Sequence, residues 1–188
     1  ELADAYKSLN EALIHGGLAN DAKTELIYIS AEDIERNHWP SEITEVDGIV
    51  IPIGFGKRGS EGKIAAIRYA REQKVPCFGI CWGMQLMVVE YARHVCGIQH
   101  AASTEFIEDT PDPVIYKLRD LLGVENLGGT MRLGAYPCRL QEGTRAREVY
   151  GLDVISERHR HRYEVNQKYL PGLEEKGLVV AGKSPDGK

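Results

Sequence analysis

The chain has 188 residues, of which 43% are hydrophobic and 27% charged, and its formal net charge is −5. This length supports one domain with a substantial core, and the acidic balance argues against nucleic acid or a membrane surface as a partner. No apolar run approaches the ~20 residues that span a bilayer, and residues 1–4 lack a signal-peptide pattern. The four cysteines contain no Cys-x-x-Cys pair, so we expect no disulfide framework, no metal site and a reducing, cytoplasmic compartment.

The first third of the chain alternates helical and strand patterns. Apolar spacing predicts a helix over residues 4–15, stopped by the glycine pair that follows, and a short strand over 26–29. Residues 48–52 are apolar throughout, as in a strand buried on both faces of a parallel sheet. A glycine-rich stretch follows, and then a predicted helix over Ser60–Gln73, with Ser60 as its cap.

Beyond this helix the pattern predicts a strand over 75–80 and another helix after it. The irregular middle of the chain indicates loops and short strands, 154–165 an edge strand or hairpin, and 178–182 a last strand. This order predicts an α/β fold, a doubly wound, mainly parallel sheet with helices on both faces. Loops at the carboxyl ends of such strands share one crevice, so we expect Gly54 to lie beside Cys81.

Cys81 stands where the strand over 75–80 turns into the next helix, with Gly79 and Gly83 two residues to either side. A nucleophile at such a corner is typical of a nucleophile elbow, whose tight turn strains the backbone and whose glycines admit closely passing chain. The helix N-terminus behind the side chain favours a thiolate. A lone cysteine among apolar residues is more often a small core hydrophobe. The other three cysteines fit that description: Cys77, Cys96 and Cys138.

Acyl transfer by a thiolate requires a nucleophile, a base and hydrogen-bond donors for the developing oxyanion. Cys81 supplies the nucleophile. The predicted donors are backbone N–H groups, one from Trp82 directly after the nucleophile and one from the turn of Ile53 and Gly54 after the preceding strand. The residues therefore predict a cysteine-dependent acyl-transfer site.

Five motifs, in order along the chain, carry a resemblance to a known family. They are Gly-Phe-Gly-x-Arg-Gly-x-Glu-Gly at 54–62, Gly-Ile-Cys-x-Gly-Met-Gln at 79–85, Ser-Thr-Glu-Phe at 103–106, Gly-Gly-Thr-Met-Arg-Leu-Gly at 128–134 and Glu-Arg-His-Arg-His-Arg-Tyr-Glu-Val-Asn at 157–166. The elbow resembles that of class I glutamine amidotransferases, and the last two motifs narrow the resemblance to the glutaminase domain of CTP synthases. The resemblance covers essentially the whole chain and implies a single amidotransferase domain over 1–188.

The resemblance implies that Cys81 attacks the side-chain amide of L-glutamine, that ammonia leaves, and that water hydrolyses the resulting thioester. Within it, a carboxylate such as Glu105 suits the substrate's α-ammonium, and a guanidinium such as Arg162 suits its α-carboxylate. Gln85 is expected to hydrogen-bond the substrate from the first turn of its helix. The full set of implied glutamine-binding residues is Gly54, Trp82, Gly83, Met84, Gln85, Glu105 and Arg162.

Some of these interpretations have plainer alternatives. Taken alone, Glu105 is more often a solvated surface charge. Arginines alternate along 158–162, where a row of charges usually marks a solvated strand face; because one face alone can line a site, we favour Arg162. Arg58 and Glu61 resemble lid residues linked to GTP-dependent activation, although helix capping or a local ion pair explains Glu61 equally well.

For a whole enzyme, the resemblance implies an amino-terminal amidoligase domain as the partner of this one. That domain uses the ammonia to convert UTP to CTP with ATP and Mg²⁺, and GTP activates the glutaminase step. The family also implies a homo-oligomer, a tetramer. We expect no cofactor within the domain formed by this chain.

The chain departs from the family pattern in its histidines. The family takes its base and the carboxylate that orients it from a late His-Pro-Glu, and no histidine here is followed two residues later by Glu or Asp. We therefore expect that segment, and the first strand of the family's sheet, to lie outside residues 1–188 and the isolated chain to be inactive. The six histidines are His15, His38, His94, His100, His159 and His161.

Two further departures concern the oxyanion donors. Ile53 replaces a family glycine whose peptide can flip, and a β-branched residue resists positive φ; losing one donor costs about 10²–10³ in rate in a protease. Trp82 replaces a leucine, and its indole either narrows the pocket or repacks beneath it. These departures keep two alternatives open: a catalytically degenerate binding or scaffolding module, and a cysteine hydrolase of the same fold with another substrate.

Overall fold

The computed structural model describes residues 3–117 and 131–185. The chain divides into two compact units, unit 1 at Glu1–Glu90 and unit 2 at Tyr91–Lys188. The helices of the described residues are α1 Lys7–Ala19, α2 Ala31–Glu35, α3 Ser60–Gln73, α4 Trp82–His94, α5 Arg145–Tyr150 and α6 Leu170–Glu175, with 3-10 turns at Ala3–Tyr6 and Ser41–Thr44. The strands are β1 Ile49–Ile51, β2 Cys77–Gly79, β3 Ala101–Ser103, β4 Asp112–Lys117, β5 Arg132–Leu140, β6 Val154–His161, β7 Tyr163–Val165 and β8 Gly182–Lys183.

In unit 1 the strands β1 and β2 pair in parallel, with Ile51 opposite Gly79. The predicted strands at 48–52 and 75–80 are both present, although the expected burial on both faces is incomplete: Ile51 is buried, whereas Phe78 is 64% exposed. Helix α3 has the predicted bounds and buries one apolar face. The core of the unit is formed by Ile51, Ile64, Ile67, Leu86 and Val89, none more than 4% exposed.

The helix starts and stops of unit 1 differ in detail from the sequence predictions. Ser60 is not the cap of α3; Gly59 holds that position at φ 68°, and the Ser60 hydroxyl donates a hydrogen bond to the Lys57 carbonyl at 2.8 Å. Helix α1 runs through the glycine pair and ends at Ala19. The side-chain Nδ2 of Asn20 donates to the Gly16 carbonyl at 2.8 Å and so ends the helix one turn later than predicted.

Two predicted strands are wrong or displaced. Residues 26–29 carry no strand, since no ladder hydrogen bond joins them to another described segment, and a strand exists only through such bonds. At the carboxyl end, the short β8 pairs antiparallel with β5, and Arg139 lies opposite Lys183. It therefore begins where the prediction over 178–182 ends.

Unit 2 contains two three-stranded sheets. One has the order β3-β4-β7, with β3 and β4 parallel and β7 antiparallel to β4. The other, β6-β5-β8, is antiparallel throughout, so β6 is an edge strand as expected for 154–165. Arg162 is the single residue between β6 and β7, the point at which the chain passes from one sheet to the other. The predicted α/β class is confirmed, with parallel pairing in β1–β2 and β3–β4.

A search of the described residues found no helix with the length and apolar character needed to cross a bilayer.

Candidate active site

Cys81 occupies the corner between β2 and α4. Its φ is 54°, in the left-handed region that residues with a Cβ seldom adopt. The corner is fixed on both sides by backbone hydrogen bonds: the Ile80 N–H donates to the Ile51 carbonyl at 3.0 Å, and the Gln85 N–H donates to the Cys81 carbonyl at 3.1 Å. The strained elbow predicted from the sequence is confirmed.

The two glycines that flank Cys81 are required by close packing. A Cβ on Gly79 would lie 2.6 Å from the Met87 sulfur and 2.7 Å from the Gly83 carbonyl carbon. A Cβ on Gly83 would overlap the Ile51 carbonyl oxygen. Helix α4 therefore passes directly against β1 and β2, and this close approach holds its first turn behind the thiol.

Gly54 and Trp82, two of the three residues predicted to supply oxyanion donors, lie in contact. A Cβ on Gly54 would be 2.6 Å from Cε3 of the indole. Within the described residues, neither backbone N–H donates a hydrogen bond, so both remain available to a substrate. Ile53 keeps a negative φ, as its branched side chain favours, and is 47% exposed.

The indole of Trp82 packs beneath the turn rather than into open space. Trp82 is 3% exposed, and the Lys63 ammonium lies 4.3 Å from the ring centroid. Burial lowers the pKa of Lys63 from its usual value. The indole Nε1 is buried and has no hydrogen-bond partner in residues 3–117 or 131–185. Of the two possibilities left open by the sequence, repacking beneath the site is correct.

The three residues that follow Trp82 on α4 differ in solvent exposure. Gly83 is buried, Met84 is 42% exposed, and Gln85 is 5% exposed. Met84 is therefore the one of the three whose side chain reaches solvent from the first turn of α4. Gln85 is predicted to hydrogen-bond the substrate through its side chain, and it would have to do so from a nearly fully buried position.

Arg58 is held by a partner that sequence patterns did not reveal. Its Nε and Nη2 donate to the two carboxylate oxygens of Glu32 at 2.9 and 2.7 Å, across 26 positions of sequence. The hydrogen bond from Arg58 is the main reason that the pKa of Glu32 lies below its usual value. Glu61 lies in the first turn of α3, where a carboxylate is favoured by the helix dipole. The glycine-rich loop is thus tied to α2 by a bidentate ion pair.

In unit 2, Glu105 follows β3 on an ordered turn. The Glu105 N–H donates to the Ser103 hydroxyl at 3.2 Å, and the Thr104 N–H donates to the Ile115 carbonyl at 3.1 Å. Burial raises the pKa of Tyr163, the charge of Glu105 raises it further, and the charge of Arg162 lowers it. Glu105 and Arg162 therefore lie near the same phenol.

The three arginines at 158, 160 and 162 differ in burial, and Arg162 is the most buried of them. Arg158 and Arg160 are exposed, whereas Arg162, at the joint with β7, is partly buried. Arg162 is thus the one arginine of the three that is drawn into the protein, although its role toward a substrate stays a prediction.

His159 and His161 form a cluster of their own. Their facing nitrogens are 2.9 Å apart, and the other ring nitrogen of His161 lies 3.2 Å from the Tyr163 carbonyl. Arg132 and Glu164 form an ion pair of 3.0 Å beside them. Burial is the first cause that lowers the pKa of both histidines. Sequence patterns assigned neither histidine a base's role, and both have partners within this cluster.

Comparison with protein families shows which family the chain belongs to. The model of the family described as "Glutamine amidotransferase class-I" matches residues 1–188. The chain belongs to the class-I glutamine amidotransferase family. The elbow geometry is the one that a cysteine nucleophile of such an amidotransferase requires. The motif at residues 128–134 is described only in part. Gly128–Thr130 lie outside the described residues, and Met131–Gly134 lie within them.

Among its relatives this amidotransferase is similar to bacterial CTP synthases. It is 55% identical over 187 residues to the CTP synthase of Syntrophus aciditrophicus and 55% identical over 188 residues to that of Geobacillus kaustophilus. Each alignment covers 100% of this chain and 35% of the relative, so the chain spans about a third of the length of these relatives. Among solved structures it is similar to the glutaminase domain of Trypanosoma brucei CTPS with bound acivicin, with a TM-score of 0.90 and 31% identity over 100% of this chain and 73% of that one.

Within the described part of this amidotransferase, no group of three or more His, Cys, Asp or Glu residues is arranged to hold a metal ion.

Proposed function

We propose that the chain is the glutaminase domain of a CTP synthase. The observation that carries the proposal is the elbow: Cys81 at φ 54°, with Gly54 and Trp82 in contact beside it and their N–H groups unused by the described residues. The identity to CTP synthases over the whole chain supports the same function.

In the proposed reaction, the Cys81 thiolate attacks the carbonyl carbon of the glutamine side-chain amide. A C–S bond forms, and the carbonyl electrons move to oxygen, where the Gly54 and Trp82 N–H groups stabilise the negative charge. The oxygen electrons then return, the C–N bond breaks, and the nitrogen leaves as ammonia after it gains a proton. Water adds to the thioester next, and glutamate and the free thiol are released.

Substrate binding is proposed for the residues that the family pattern implies. In unit 1 the first turn of α4, with Gly83, Met84 and Gln85, lines the position of the side-chain amide. In unit 2 the Glu105 carboxylate binds the α-ammonium and the Arg162 guanidinium binds the α-carboxylate, because opposite charges with hydrogen bonds are the strong contacts available to an amino acid. Support for this pairing comes from the closeness of both side chains to Tyr163.

For the whole protein we propose that the ammonia passes to an amidoligase domain and converts UTP to CTP with ATP and Mg²⁺. GTP is proposed to act through the loop that carries Arg58 and through Glu61. A homotetramer in the cytoplasm is the proposed assembly. These proposals follow from the family resemblance described above, and this chain covers 35% of the length of the CTP synthases to which it is similar.

The test is glutamate release by the full-length protein, together with covalent labelling by a glutamine-like electrophile. We expect one adduct, on Cys81, and loss of both adduct and glutamate release in Cys81→Ser. Cys96→Ser is the matched control, because that half-buried thiol lies outside the elbow and should leave both readouts unchanged. Neither adduct nor glutamate in the wild-type protein would favour a binding or scaffolding module, and an adduct that glutamine fails to suppress would favour a cysteine hydrolase with another substrate.

A further inference from the structure

Gly54 is the anchored residue of the turn that offers the first oxyanion donor. Its neighbours Ile53 and Phe55 are 47% and 85% exposed, so Phe55 contributes little packing and Ile53 is only partly covered. In the described residues, no backbone hydrogen bond holds Ile53 or Gly54. Gly54 itself lies against the six-membered ring of Trp82, so closely that an added Cβ would be 2.6 Å from Cε3.

The position of the Trp82 ring is in turn fixed by packing and by charge. Its Nε1 forms no hydrogen bond within residues 3–117 and 131–185, so no hydrogen bond sets the ring angle. The Lys63 ammonium lies over the ring, 4.3 Å from its centroid. Lys63 projects from the first turns of α3, and Trp82 is the first residue of α4, so the contact joins two helices of unit 1.

The energetics favour a defined geometry for this contact. An ammonium over an indole face is attracted by the ring quadrupole, and the attraction is stronger where water is excluded than at an exposed site. Lys63 is half-buried, so water is partly excluded from this contact, and burial lowers the pKa of its ammonium. Oxyanion donors act best when they are held in place before the reaction, since any rearrangement raises the barrier.

We propose that Lys63 is a positioning residue, which holds the indole of Trp82 against Gly54 and thereby fixes the donor N–H groups of the oxyanion hole. This inference rests on the proposed glutaminase function and adds to it the side chains of Lys63 and Trp82 as supports of the donor turn. It also gives the departure at Trp82 a role: the indole supports a turn in which Ile53 stands where the family pattern has glycine.

The first experiment is a double-mutant cycle on glutamate release by the full-length protein. Lys63→Met keeps the length of the side chain and should lower kcat about tenfold with KM for glutamine within about twofold, because the donors act on the transition state. Lys63→Arg keeps a cation over the ring and should restore most of kcat. Arg68→Met, which removes a cation from the exposed face of the same helix, should change neither constant.

The cycle is closed in a Trp82→Leu background. If Lys63 acts through the indole, Lys63→Met should cause no further loss of kcat once the ring is removed. An equal tenfold loss in both backgrounds, an unchanged kcat in Lys63→Met, or an effect on KM alone would each overturn the inference. Loss of glutamate release in Cys81→Ser tests the proposed function separately.

A second measurement decides the inference even if the wild-type protein releases no glutamate. Amide hydrogen exchange of a peptide spanning residues 52–57 should be faster in Lys63→Met and in Trp82→Leu than in wild type, and unchanged in Lys63→Arg and Arg68→Met. Equal exchange in all five proteins would show that the turn is held without Lys63 and would overturn the proposal.

Discussion

Arg71 on α3 holds the carboxylate of Glu90 on α4, with Nη2 2.8 Å from one oxygen and Nε 3.1 Å from both. The side chain of Glu90 is 2% exposed and that of Arg71 34% exposed. The pair therefore fixes the helix that follows the elbow against the helix that follows the glycine-rich loop. A buried carboxylate of this kind is tolerated because its charge and lone pairs are matched.

Removal of the arginine should be costly for the fold. Arg71→Met leaves the Glu90 charge buried without its bidentate partner, and we expect a loss of about 3 kcal/mol in the free energy of unfolding by urea. Arg71→Met combined with Glu90→Met should lose clearly less, because no charge is then left buried. Arg68→Met, which breaks the exposed pair with Glu72, should cost less than about 0.5 kcal/mol. A loss in the double variant as large as in Arg71→Met would contradict this account.

Alkylation should distinguish the four thiols. Burial, with a smaller contribution from Glu90, raises the pKa of Cys77 to about 11, so this thiol stays protonated and unreactive at pH 8. Burial also raises the pKa of Cys96 and Cys138. With limiting iodoacetamide at pH 8, peptide mass spectrometry should therefore find Cys81 modified first. Cys77 should react as the pH approaches 11, and modification of Cys77 before Cys81 at pH 8 would show that the elbow does not activate its thiol.

Substitution of Glu105 should act on binding. Glu105→Gln removes the charge proposed to bind the α-ammonium of glutamine and keeps the size of the side chain. We expect KM for glutamine to rise about tenfold with kcat changed much less, since a hydrogen bond to a charged group is worth about 1.5–3 kcal/mol. Glu108→Gln, an exposed carboxylate that also affects Tyr163, is the control and should leave KM unchanged. The same KM in both variants would remove Glu105 from the binding site.

The histidine pair predicts a loss of stability in mild acid. Burial is the first cause that lowers the pKa of both histidines. The charge of Arg132 lowers the pKa of His159 further and Glu157 on β6 raises it. The charges of His159 and Arg132 lower the pKa of His161, and the hydrogen bond with the Tyr163 carbonyl on β7 raises it. Glu164, 3.8 Å from His161, also faces the pair. The pKa of each histidine is lower in the folded protein than the unfolded value of 6.5. The fold therefore has its full stability above pH 6.5 and loses stability as the pH falls through the folded-state pKa values.

Thermal unfolding at a series of pH values checks this prediction. The melting temperature of the wild-type protein should fall as the pH decreases from 7 to 5, and the fall should be smaller in His159→Gln combined with His161→Gln. His38→Gln, which removes an exposed histidine, should leave the wild-type slope unchanged. A steeper slope in the double variant would mean that the protonated pair is stabilised in the fold.

The elbow could be predicted because its requirements are local. A cysteine at a left-handed corner, with glycines at 79 and 83 that leave no room for a Cβ, is encoded within five consecutive residues. Helix α3 could be predicted for the same reason, from its period and the glycine before it. The position of the Trp82 indole could not be predicted from the sequence, because the ring contacts Gly54 and Lys63, which lie on other segments.

The contacts that sequence reasoning missed join distant positions. Arg58 and Glu32 are 26 residues apart, and Arg71 and Glu90 are 19 apart, so no helical or strand period connects them. The strand prediction at 26–29 failed for a related reason: apolar residues with high strand propensity form a strand only where a neighbour supplies hydrogen bonds. Local pattern thus specified the corner at Cys81, and tertiary placement specified the contacts that support it.

The backbone of Cys81 makes the elbow a poor place for any residue except glycine. At φ 54° a side chain costs about 1 kcal/mol, so Cys81→Gly should raise the free energy of unfolding by about that amount and abolish amide hydrolysis, whereas Cys81→Ala should keep the strain. Urea unfolding of the two variants measures the difference. In evolutionary terms, a lineage released from the need for the reaction would gain stability by one substitution to an inert corner. A thiol at this corner therefore carries a cost in stability that glycine would avoid.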